Sequence, residues 1–142
     1  MRSVLFDSSV YISAIRAVED KFVAVRSLPN DTPVWLSAVV LEELYAGASE
    51  RALPMVEQIE RDFDGANRIL VPDLSDWTEA GRVLARLASK YHYEKTGRAR
   101  LTNDALIAMS AARAGVRVIT ANERDFGRLA EFREFQWEVA AL

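Results

Sequence analysis

The chain has 142 residues, half of them hydrophobic and 27% charged, a composition that suits one globular domain with a substantial core. It has no cysteine and a single histidine, His92, which excludes a disulfide framework, a thiolate or histidine-rich metal site, and RNA cleavage by a histidine pair. The net charge of −3 does not advertise a nucleic-acid binder, yet it is uneven: Lys90 to Arg100 holds four cations and one acid, a net +3, so the remainder carries −6.

In chain order, residues 3–6 are a short apolar run ending at Asp7, the pattern of a strand buried on both faces. Residues 9–18 and 20–27 read as helices, and Pro29, Asn30, Asp31 and Pro33 mark a turn. Residues 34–36 are a strand, and Ser37 is placed to cap a helix over 38–49 with Gly47 near its end. A helix over 53–64 closes at Asp64-Gly65, and a strand over 69–71 is stopped by Pro72. Ser75 is read as the cap of a long helix reaching Tyr93, and Thr102 as the cap of another over 103–114, ended by Gly115. Residues 116–119 are the clearest late strand, and 135–140 an edge-like last one. No repeat, low-complexity tract or linker divides residues 1–142, so they are read as one domain. Asp7 comes too early for a secretory leader and no apolar run approaches the ~20 residues of a membrane span, which makes the cytoplasm the expected compartment, with no membrane partner.

Strands alternating with helices predict an α/β fold, a three-layer α/β/α sandwich around a central, mostly parallel sheet. Ligands of such folds bind beyond the carboxyl ends of the strands. Asp7 directly follows the first strand, and Glu43 lies in the second turn of the helix after the 34–36 strand. Asp104 lies in the first turn of its expected helix, and Asp125 follows the 116–119 strand by a short loop. Acids spread over more than a hundred positions can thus meet at one sheet edge. Singly, each has a plainer alternative: Asp7 as a helix cap, Glu43 and Asp104 as partners of a helix dipole, Asp125 as a solvated loop acid and Asn122 as a turn residue. Asp104, however, opens DALIAMSAA, apolar nearly all round, and an acid at the mouth of a buried helix needs a partner.

DSSVYISA at 7–14, SAVVLEELYAG at 37–47, LTNDALIAMSAA at 101–112 and VITANERDF at 118–126 resemble, in order and spacing, the motifs of PIN-domain nucleases, nearest the VapC-type toxins of bacterial toxin–antitoxin systems. The resemblance covers nearly the whole chain. It implies acidic metal ligands at Asp7, Glu43, Asp104 and Asp125, with helper roles for Ser8, Thr120 and Asn122. Leu44 sets the register that selects Glu43 over its neighbour Glu42, since adjacent helical residues point about 100° apart. The activity implied is Mg²⁺- or Mn²⁺-dependent cleavage of RNA, leaving a 5′-phosphate and a 3′-hydroxyl. The partners implied are an RNA substrate, a cognate antitoxin protein and a second copy of the chain.

The chemistry accounts for the residue types. Mg²⁺ and Mn²⁺ prefer hard oxygen ligands, and a bound divalent cation both lowers the pKa of water and stabilises a departing oxygen. Asp7 and Asp104 are expected to hold the central metal, Glu43 and Asp125 to complete the site or orient the attacking water, and Thr120 and Asn122 to position Asp125 or contact a phosphate. Four carboxylates gathered closely repel one another, so one of them is expected to hold a proton more tightly than a free acid. Lys90, Lys95, Arg98 and Arg100, interleaved with Tyr91 and Tyr93, are candidate RNA contacts; the alternative is a solvated helix end running into a loop. A receiver-like domain is disfavoured because Asp7 has no acidic neighbour and VITANERDF offers no lysine; a haloacid-dehalogenase phosphatase would need a second Asp where Ser9 stands. A non-catalytic PIN-like domain that binds RNA or Mg²⁺ is the remaining alternative.

Overall fold

The computed structural model describes residues 2–16, 31–92 and 95–140, with side chains of 95–100 outside that set. The strands are β1 (Val4–Phe6), β2 (Val34–Ser37), β3 (Ile69–Leu70), β4 (Arg117–Thr120) and β5 (Trp137–Val139). The described helices are α1 (Ser8–Arg16), α2 (Ala38–Gly47), α3 (Leu53–Gly65), α4 (Leu74–Tyr91), α5 (Lys95–Ala114) and α6 (Glu123–Ala130). The helix expected over 20–27 and the turn at Pro29 and Asn30 lie outside the described residues.

All five strands are parallel, in the order β3-β2-β1-β4-β5. The chain begins in the centre, steps outward through β2 to β3, then recrosses to β4 and β5. The reversal falls between β1 and β4, where Val4, Leu5 and Phe6 pair with Arg117, Val118 and Ile119. Every β1 side chain is buried, as a strand covered on both faces requires, whereas β5 at the edge exposes Glu138 and Val139. Helices α1, α2 and α3 pack on one another as one group, and α4, α5 and α6 as another. This is the α/β sandwich that right-handed crossovers in two opposite directions produce.

Local chemistry moves several boundaries. Ser37 caps α2 as expected, its Oγ accepting from Val39 N at 3.2 Å. Helix α4 is capped by Asp73, not Ser75: Asp73 Oδ1 accepts from Asp76 N and Asp76 Oδ2 accepts from Asp73 N, both at 3.0 Å. This reciprocal box satisfies two end donors at once, and Ser75 merely donates to Asp73 at 2.7 Å. Helix α5 begins at Lys95 rather than 103, so Thr102 is interior and residues 95–100 are helix, not loop. Lys, Arg, Ala and Leu are strong helix formers, and their sum outweighs the roughly 1 kcal/mol cost of Gly97. Asp104 therefore sits in the third turn of α5, not the first. Gly115 ends α5 at φ +70°, with Val116 N reaching Ala111 O at 3.0 Å, which releases the chain into β4.

The middle of α5 is the core of its layer: Ala105, Leu106, Ile107, Ala108, Met109 and Ala111 are all buried. Its far end is tied to α4 through Arg113, whose Nε donates to Asp76 Oδ1 and Oδ2 at 3.1 and 3.0 Å and whose Nη2 donates to Val71 O at 3.3 Å. Asp76 is 2% exposed, so its charge depends on that guanidinium. Asp76→Ala is expected to destabilise the protein by about 3 kcal/mol, the low end for breaking a buried pair because Arg113 keeps access to water. Asp73→Ala should cost about 1 kcal/mol as a lost cap. Urea denaturation of the two variants reads the difference.

Candidate functional site

Asp7 stands at the carboxyl end of the central strand, beside the β1/β4 reversal. Its backbone N donates to Ile119 O at 3.0 Å, continuing the ladder one residue past β1. Its side chain is 3% exposed, with Oδ1 accepting from Ser9 Oγ and Oδ2 from Thr120 Oγ1, each at 2.5 Å. Both hydroxyls are held in turn: Ser9 Oγ accepts from Ala121 N at 3.2 Å and Thr120 Oγ1 from Asn122 N at 2.8 Å. Burial pushes the Asp7 carboxyl above its ordinary value, and these hydroxyls with the first N–H groups of α1 offset only part of that. Thr120 thus serves Asp7, not Asp125 as expected. Ser9 was not singled out in the sequence, although a hydroxyl two residues after an Asp at a helix start is a recognisable local pattern.

Glu43 reaches the same edge from the second turn of α2. Glu42 beside it is exposed, so the register anchored by buried Leu44 turns Glu43 inward. Asn103 Nδ2 donates to Glu43 Oε2 at 3.3 Å, while Oε1 is buried without a hydrogen-bond partner. Burial raises the Glu43 carboxyl pKa; Asn103 and the Ser8 hydroxyl pull it down, and Glu42 and Asp7 push it up slightly. Ser8 therefore belongs with Glu43. Asn103 went unnoticed in the sequence because an amide preceding an acid on a helix carries no signal until α2 is placed against α5.

Asp104, 7% exposed on α5, and Asp125, in the first turn of α6, are joined by Asn122. Asn122 Nδ2 donates to Asp125 Oδ2 at 3.0 Å and to Asp104 Oδ2 at 3.4 Å, and its Oδ1 caps α6 by accepting from Asp125 N at 3.4 Å. Asp125 is thus a helix residue rather than a loop one. Arg124 stands at its outer side, Nε 3.8 Å from Asp125 Oδ1.

The four acids share one edge but are not a bare cluster. Among the described residues no three His, Cys, Asp or Glu side chains form a set able to hold a metal ion as placed. The expected close packing of four carboxylates is corrected accordingly: neutral amides and hydroxyls stand between them. The raised pKa values of Asp7 and Glu43 likewise arise first from burial and only marginally, at Glu43, from neighbouring acids. The donor set is all hard oxygen and includes one buried, unpartnered carboxylate atom. It suits a cation such as Mg²⁺, which takes one or two carboxylates and keeps several waters.

Of the basic candidates, Lys90 is engaged elsewhere. Its Nζ bonds Glu131 and lies 5.2 Å from the Tyr91 ring centroid, while Tyr91 donates to the same glutamate at 2.5 Å and Arg128 stacks on Tyr91 at 4.2 Å. These contacts fasten the end of α4 to α6. The side chains of Lys95, Arg98 and Arg100, and all of Tyr93, lie outside the described residues. The backbone does place position 100 one helical turn before Asp104 on α5.

An acid whose folded pKa is raised stabilises the fold below its unfolded pKa and loses that contribution as pH rises through the folded value. Asp7→Asn should therefore gain stability relative to wild type as pH rises from 4 through the carboxylate range toward neutrality. Urea midpoints in EDTA at several pH values check this; a difference independent of pH would mean that Asp7 titrates as a free acid.

Among curated proteins no sequence relative matches the chain. Its backbone is similar to the solved structure of DNA-bound VapBC from Salmonella typhimurium, with TM-score 0.69 and 22% identity over 98% of each chain. It is similar to VapBC2 from Rickettsia felis bound to a promoter DNA fragment, with TM-score 0.70 and 19% identity over 97% of this chain and 98% of that one. It is also similar to VapBC-1 from nontypeable Haemophilus influenzae, with TM-score 0.64 and 19% identity over 96% of each. At such identities the likeness is one of fold. A family model for the PIN domain matches residues 4–132, nearly the whole chain and all four acids, and the chain belongs to the PIN-domain family.

Proposed function

We propose that this protein is a metal-dependent endoribonuclease, the toxin of a type II toxin–antitoxin pair. The observation that carries the reading is that Asp7, Glu43, Asp104 and Asp125, from four separate stretches of the chain, all lie along the carboxyl edge of the sheet near the point where strand order reverses, linked through Asn103 and Asn122 rather than packed as a cluster. Buried Asp7 and partly buried Glu43, both with pKa values raised first by burial, are the kind of perturbed acids found at functional sites. The toxin assignment is supported by the fold shared with the VapBC structures.

Asp7 and Asp104 are the central ligands in this reading, with Glu43 and Asp125 completing the site. A bound Mg²⁺ or Mn²⁺ supplies charge neutralisation at the phosphoryl oxygens and a water acidified near neutral pH. Ser9 and Thr120 hold both oxygens of Asp7 in one orientation, and Asn122 fixes Asp104 relative to Asp125. The basic turns at the start of α5 run into Asp104 along one helix, which suits Lys95, Arg98 and Arg100 for the phosphates flanking the cut; Lys90, bonded to Glu131, drops out of that role. The products carry a 5′-phosphate and a 3′-hydroxyl. An antitoxin segment that places an Arg or Lys among the acids would replace the metal's charge, and a homodimer and a cytoplasmic location belong to the same reading.

A second reading, a PIN-like domain that binds RNA or Mg²⁺ without cutting, is favoured by one observation: among the described residues no three acidic ligands converge. Incubating purified protein with an RNA pool in Mg²⁺, Mn²⁺ or EDTA separates the two. Cleavage with either metal and none in EDTA is expected, and none with Asp7→Asn or Asp104→Asn, both still folded by circular dichroism. Cleavage that survives EDTA or either substitution removes the carboxylate–metal mechanism; RNA binding without cleavage in any metal selects the second reading.

Replacing Lys95 and Arg98 with Gln should weaken RNA binding and flatten its logarithmic salt dependence by roughly 0.7 per lost single-strand contact. The Lys90→Gln variant, in contrast, should leave that slope unchanged and loosen the α4–α6 contact. Binding titrations across a salt series read both.

A further inference from the structure

Glu43 Oε1 is the sole buried side-chain polar atom without a hydrogen-bond partner among the described residues. Such an atom is costly and rare in native proteins, and it needs an explanation such as an absent ion or water. Oε1 does not lack a partner because the carboxylate is loose. The other oxygen, Oε2, accepts from Asn103 Nδ2 at 3.3 Å. That bond spans the two helical groups, since Glu43 lies on α2 and Asn103 on α5. It lies one residue before Asp104, so a single turn of α5 presents an amide to one acid and a carboxylate to the site. An amide can occupy one oxygen of a carboxylate without cancelling its charge, whereas a Lys or Arg there would do both.

We infer that Asn103 is a positioning residue for the metal: by holding Oε2 of Glu43 it keeps Oε1 directed into the site as a ligand for a divalent cation. The inference rests on the metal-dependent reading proposed above and extends it to a residue outside the four acids. Partners that orient metal ligands typically contribute 10–100-fold to affinity. The loss expected for Asn103 is about tenfold, because its bond is long and Ser8 also favours the charged form of Glu43.

The test is Mn²⁺ binding by titration calorimetry, with melting temperatures in EDTA and in Mn²⁺, for wild type, Asn103→Leu, Asn103→Gln, Glu43→Gln and the Asn103→Leu/Glu43→Gln double variant. Leucine matches asparagine in shape and lacks the donor. Asn103→Leu should melt slightly below wild type in EDTA, since Glu43 loses a donor, bind Mn²⁺ about tenfold more weakly and show a smaller Mn²⁺-induced rise in melting temperature. Asn103→Gln, which keeps the amide, should recover part of the affinity. In the Glu43→Gln background, Asn103→Leu should cause no further loss, because the two act through one carboxylate. If wild type binds Mn²⁺ and Asn103→Leu binds it equally, or if the two substitutions are additive, the role of Asn103 is overturned while the metal site stands. A wild type that binds no Mn²⁺ overturns the metal reading and this inference together. A variant already destabilised in EDTA with unchanged Mn²⁺ affinity makes Asn103 a packing residue and overturns the inference.

Discussion

The site depends on the burial of one charge. Asp7 follows a strand flanked by neighbours on both sides, and its carboxylate is almost inaccessible to water. A buried carboxylate must be hydrogen-bonded or neutralised. Here the chain meets the requirement with hydroxyls: Ser9 from α1 and Thr120 from the end of β4 take one oxygen each. Because those hydroxyls also accept from Ala121 N and Asn122 N, the charge ties three elements together: β1, the start of α1 and the turn after β4. That turn delivers Asn122 and Asp125, so the placement of the fourth acid follows from the satisfaction of the first.

The remaining acids repeat the solution with amides. Asn103 holds Glu43, and Asn122 stands between Asp104 and Asp125. Neutral donors stabilise negative charge without removing it. They also keep the acids apart, which limits repulsion in the metal-free protein. A chain that used arginines instead would be a sealed ion-pair network. That arrangement occurs elsewhere in the fold, where Arg113 is paired with Asp73 and Asp76. Salt bridges such as that of Arg113 fasten helices away from the site, whereas at the site Ser9, Thr120, Asn103 and Asn122 supply uncharged donors and Arg124 lies 3.8 Å from Asp125 on the outer side.

The fate of the basic stretch illustrates the same division. Lys90 and Arg128 are drawn into contacts with Glu131 and the ring of Tyr91 that close α4 on α6. Beyond His92, which ends α4 in the left-handed conformation, α5 starts its own basic turns and runs into the site. A single cationic run in the sequence therefore serves two ends: its first member fastens helices, and the others lie on the helix that carries Asp104.

The amino-acid sequence by itself determined the alternation of strands and helices, the strand before Asp7, the buried character of 105–111 and the family motifs, because each is written in local periodicity and spacing. Glu43 was selectable over Glu42 because Leu44 marks the inward face of α2. The helix at Glu123–Ala130 was not expected from the sequence at all, and helix boundaries near 73 and 95 were not legible. They turn on which of several polar residues wins a cap, and on propensity summed across residues that include a glycine. The strand order, and hence the position of Asp7 at the reversal between β1 and β4, needed the sheet. Only tertiary structure decided which neutral donor meets which acid, sending Thr120 to Asp7, Ser8 and Asn103 to Glu43, and Asn122 to the pair Asp104 and Asp125. Those partners lie as far as 113 positions apart, and a hydrogen bond over such a separation leaves no periodic trace in the chain.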